Sequence, residues 1–60
     1  MFVVEFTGNN EAHVVPPKGD IRRIPQFVFS VASDDDERDE CARTYVRQVF
    51  QHSGDVAVLH

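Results

Sequence analysis

Six carboxylates fall within seven consecutive positions, Asp34, Asp35, Asp36, Glu37, Asp39 and Glu40, broken only by Arg38. A calcium loop would need oxygen ligands at alternate positions and a glycine at its sixth. Here Arg38 intrudes and no glycine occurs between Gly19 and Gly54, so calcium is not expected. Two roles remain. Acids in the first turn of a helix lie favourably against its macrodipole, each by roughly 0.3 to 1 kcal/mol. A dense negative patch around a rigid helix start can also steer onto a basic protein surface, or occupy a nucleic-acid groove in place of phosphates. Arg38 falls in the first turn near the apolar side of the helix, where it is expected to snorkel to a neighbouring carboxylate.

The other reactive side chains are sparse. His13, His52, His60 and Cys41 are the only soft metal ligands, and their spacing matches no zinc pattern. Cys41 and His52 are eleven residues apart, about 16 Å along a helix, too far for a thiolate and imidazole pair. Gly8, Gly19 and Gly54 stand alone at turn or cap positions, so no phosphate-cradling loop is present. Neither catalysis nor a cofactor is expected. Lys18, Arg22 and Arg23 form a second, weaker candidate patch on a proline-bounded loop. Without a net basic balance or an aromatic stacking motif, it suits a solubilising loop or the charged rim of a protein interface better than nucleic acid.

The elements that must position these groups follow from patterning. Phe2, Val4 and Phe6 alternate with Val3, Glu5 and Thr7, which predicts a half-buried strand; Gly8-Asn9-Asn10 turns the chain and Ala12 to Val15 pairs back as a hairpin. Pro16 and Pro17 end that ladder. A second alternation, Phe27, Phe29 and Val31 against Val28, Ser30 and Ala32, predicts a strand after Pro25 whose first face packs on the helix. Ser33 followed by Asp36 fits a capping box, so a helix of about 28 Å is expected from Ser33 to His52, with Ser53-Gly54 as its stop. Its apolar side carries Ala42, Tyr45, Val46, Val49 and Phe50, with Cys41 at the edge. Val56 to Leu59 predicts a last strand, parallel to the one before the helix and inserted centrally beside it through a right-handed crossover. The fold class is α+β, a small two-layer sandwich ordered strand, strand, strand, helix, strand, with one helix on a three- to four-stranded mixed sheet.

Sixty residues with net charge −4 are one domain, residues 1–60, with no room for a second. The four excess negatives all lie in residues 34–60. Such a short chain buries only about 60% of its unfolded surface, so deep substrate pockets are not expected, while a partner or a dimer would add stability. Its longest apolar runs are four residues, against about 20 for a bilayer span. With no signal peptide pattern and a single thiol, the cytoplasm is the expected compartment.

From Phe27 onward, the string Phe29-Ser30-Val31-Ala32-Ser33, the acids, Glu40-Cys41-Ala42-Arg43, Tyr45-Val46 and Gly54-Asp55-Val56-Ala57-Val58 resembles a layout in small phage accessory proteins, of the type of the phage T7 host RNA polymerase inhibitor. The final strand departs from that inhibitor, because Val56-Ala57-Val58-Leu59 carries no arginine. The resemblance therefore implies the class, a protein that acts by occupying a host protein's surface in the host cytoplasm, without implying the polymerase as target. The expected function is a small non-enzymatic protein-binding module, an inhibitor acting through the acidic helix start. Two alternatives stand beside it. One is self-association through a sheet face of Val3, Thr7, Val28 and Ser30 or through a free strand edge. The other is a nucleic-acid accessory role for Lys18, Arg22 and Arg23.

Overall fold

A computed structural model describes residues 1–60. The apolar alternation of the N-terminus folds as expected into β1 (Phe2–Gly8), which turns through Asn9 and Asn10 into the antiparallel β2 (Glu11–Val15). The register Val4↔Val14 and Phe6↔Ala12 puts even-numbered side chains on one face, and Val4, Ala12 and Val14 there are buried. Beyond the prolines and Gly19, whose φ of 104° needs a residue without Cβ, the chain returns as β3 (Arg22–Ile24). A 3-10 helix (Gln26–Phe29), α1 (Asp35–Val49) and β4 (Val56–Leu59) complete it. The sheet order is β3-β2-β1-β4, a four-stranded mixed sheet with α1 on one face. The order strand, strand, strand, helix, strand is the one the sequence predicts.

The third strand, however, is not Phe27 to Ala32. Arg22–Ile24 already occupies the place beside β2, with Ile24 fully buried opposite Ala12. The expected strand instead coils, with Val28, Ser30 and Ala32 each donating a backbone N–H to the carbonyl three residues earlier. Coiling lowers Phe29 alone into the core, 5.4 Å from the Phe6 ring, and leaves Phe27 and Val31 74% and 83% exposed. Val28 and Ser30 consequently do not belong to a sheet face with Val3 and Thr7.

The last strand is likewise not central. β4 lies at the sheet's edge, parallel to β1 with Val4↔Val58, and it runs in the same direction as β3 with β2 and β1 between them. The two central positions are taken by the hairpin, whose local pairing costs the least loop entropy.

The helix starts one residue later than Ser33. Asp34 is the cap, in extended conformation, and its carboxylate accepts the Glu37 backbone N–H at 2.8 Å. The helix also stops earlier, with Phe50 as its last half-turn and Gln51 at φ 52° taking the left-handed position expected near Gly54. At fifteen residues it is about 22 Å long. Ala42 and Val46 are buried, and together with Val4, Ala12, Val14, Ile24, Phe29 and Val56 they form a wholly apolar core. Phe2 packs on Phe50 at 5.2 Å and the Arg22 guanidinium lies over the same ring at 5.7 Å. No helix is long and apolar enough to cross a membrane.

Candidate protein-docking surface

The six carboxylates divide by what each already does. Asp34 caps α1. Asp35 holds Arg38 at 3.0 Å, while Arg38 Nε donates to Asn10 Oδ1 at 3.1 Å. The half-buried arginine thus does snorkel to a neighbouring acid, and it also pins the helix start to the β1–β2 turn. Asp36 projects into solvent. Glu37 accepts hydrogen bonds from the Ser33 hydroxyl and from the Ser33 backbone N–H, the latter at 2.8 Å. These bonds, the hydroxyl's first, hold its carboxyl below the usual value of 4.5, extending its ionised range to lower pH.

Asp39 turns away from the patch. It faces the sheet side of the helix, with Oδ1 shielded from solvent and its closest cation-capable neighbour, His60 Nε2, at 2.9 Å. That ring nitrogen is not aligned for a hydrogen bond, so the contact is one of proximity. Glu40 is exposed and only loosely attended by Arg47 at 3.7 Å and Arg43 at 3.9 Å. The outward-facing acidic surface is therefore Asp34, Asp35, Asp36, Glu37 and Glu40.

The basic residues do not gather. Lys18 is exposed in the turn before β3, and Arg22 and Arg23 are successive strand residues, so they point to opposite faces. Arg22 goes toward the helix and Phe50, and Arg23 joins His13 and Glu5 on the open face of the sheet. The single patch expected from Lys18, Arg22 and Arg23 is therefore split by the pleat.

The histidines are spoken for separately. His13 meets Glu5 at 3.0 Å, His52 lies 3.1 Å from the Asp55 carbonyl oxygen, and His60 stacks on Phe6 at 5.0 Å. No cluster of three metal-ligating side chains forms.

An apolar groove of about 600 Å³ runs between α1 and the 3-10 segment, beginning beside the acids. Phe27, Val28, Val31 and Ala32 make one wall; half-buried Cys41 and Tyr45 with Val49 make the other, and Glu37, Glu40, Thr44 and Gln48 stand exposed along it. Phe27, Val31 and Val49 are all large, apolar and exposed, a grouping that marks an interaction surface more than scattered single residues would. Patterning alone misses this groove because it places Phe27 and Val31 under the helix. Their signal is an excess, a third apolar face in a chain whose core is filled by eight residues. Comparison of the chain with protein-family models, with curated proteins and with solved structures finds no match.

Proposed function

We propose that this chain is a non-enzymatic protein-binding module that works by covering part of a partner's surface. The groove supplies the apolar centre of the contact, Glu37 and Glu40 supply its charged border, and exposed Asp34, Asp35 and Asp36 extend the negative charge over the helix start. The observation that carries this reading is the adjacency of the two features: exposed Phe27 and Val31 face an acid-lined stretch of α1. Apolar side chains in a cleft, bordered by polar groups, is the arrangement in which a few residues carry most of the binding free energy. The resemblance of residues 27–60, at the level of sequence pattern, to small phage accessory proteins is what suggests an inhibitor of a host protein, acting in the host cytoplasm, as the specific form of this activity.

Affinity capture from bacterial lysate with three baits tests it: the natural chain, Phe27→Asp, and the pair Asp36→Lys with Glu40→Lys. One stoichiometric protein held by the first bait and lost from both others is the expected result. A protein retained equally by all three would refute the surface.

Self-association has one observation in its favour. β4 is a free edge of four apolar residues without Lys or Pro to block further pairing. A sedimentation coefficient that rises with concentration would support it, and monomeric behaviour at 1 mM (roughly a thousandfold above a micromolar Kd) would dispose of it.

A further inference from the structure

The groove also constrains what occupies it, on the premise that it is the docking surface. We infer that it takes an amphipathic helix of about three turns, lying along α1, with basic side chains at the end over Glu37 and Glu40 and apolar ones between Val31 and Tyr45.

Length sets the size of the ligand. The α1 positions that line the groove run from Glu37 to Val49, about 18 Å at the helical rise, which matches a dozen residues of helix. Backbone chemistry decides its form. The walls are a helix and a 3-10 turn, whose N–H groups are largely engaged internally. An extended segment laid between them would find no strand to pair with, whereas a helix satisfies its own backbone and needs only side-chain contacts.

Charge fixes its orientation. Both acids lining the groove sit at the α1 N-terminal end, no Lys or Arg lines it anywhere, and beyond Glu40 the α1 lining residues are neutral. Glu37, exposed and hydrogen-bonded by Ser33, is a carboxylate at neutral pH. A cation at that end is attracted, and a carboxylate there is repelled.

The test is selection of a display library against the intact chain. Its members are twelve-residue alanine-based helices, randomised at three positions on one face and at two residues on each end. Enriched peptides are expected to carry Lys or Arg at one end only, with large apolar residues at i, i+4 and i+7. Their binding should fall at least tenfold on Val31→Asp, at a position 83% exposed where the circular dichroism is expected to stay unchanged, and on a central proline in the peptide. Glu37→Gln with Glu40→Gln should erase the basic preference while keeping the apolar one. Enriched peptides that lack a basic end, tolerate proline or ignore Val31→Asp would overturn the inference while leaving a binding module in place. Failure to enrich any peptide would overturn the helix as occupant, while the capture experiment separately decides whether the groove is a binding surface.

Discussion

Phe27 and Phe29 are two residues apart in an apolar alternation, yet their surroundings are opposite: 74% exposed and 1% exposed. Phe29→Ala is expected to cost about 3 to 5 kcal/mol, comparable with the roughly 3 to 9 kcal/mol that holds a domain of this size together. The variant should be largely unfolded by circular dichroism. Phe27→Ala should shift stability by no more than about 0.5 kcal/mol; equal losses at the two positions would restore the strand. Asp34→Ala removes the cap of α1 and should cost about 1 kcal/mol, some 4 to 8 °C in Tm for a small domain. Ser33→Ala gives the pH signature. Because the Ser33 bonds lower the folded Glu37 pKa, the stability they confer is present above 4.5 and is lost as pH falls through the folded value. The gap in Tm between the natural chain and Ser33→Ala, open at pH 7, should close as the pH drops below 4.5. A gap that stays constant would mean that the hydroxyl acts otherwise.

At the scale of elements, the hairpin, the helix and the last strand are legible because each has a strong local pattern and local punctuation. β3 is not, because three residues with one buried side chain, Ile24, carry no period. The more apolar Phe27 to Val31 run therefore outcompetes it on paper, and only tertiary context, a filled sheet position beside β2, reverses the choice. The acidic residues of the candidate surface are readable as a cluster, and the inward turn of Asp39 follows from its i+3 and i+7 spacing to buried Ala42 and Val46, but the groove depends on that same reversal and is not readable. The helix end offers a direct check. Gln51 holds φ 52°, a conformation costing an L residue about 1 to 2 kcal/mol, so Gln51→Gly should raise stability by about 0.5 to 1 kcal/mol after the added freedom of the unfolded chain is offset. A loss in denaturant midpoint would contradict this ending of α1.

For the whole molecule, size makes binding a matter of sides. Its accessible surface is 4008 Å², so an ordinary interface of about 800 Å² per partner would take a fifth of it. Two such sides differ in chemistry. The groove side combines Phe27, Val31 and Val49 with ionised acids, while the open sheet face mixes Val3, Val15 and Ile21 with the Glu5 and His13 pair and Arg23. The most direct measurement is a ¹⁵N–¹H correlation spectrum of the labelled chain titrated with the captured partner. Shifts and line broadening at Phe27, Val28, Val31, Cys41, Tyr45 and Val49, with Glu37 and Glu40 beside them, are expected. Perturbations confined to Val3, His13, Val15, Ile21 and Arg23 would contradict the groove as the binding surface.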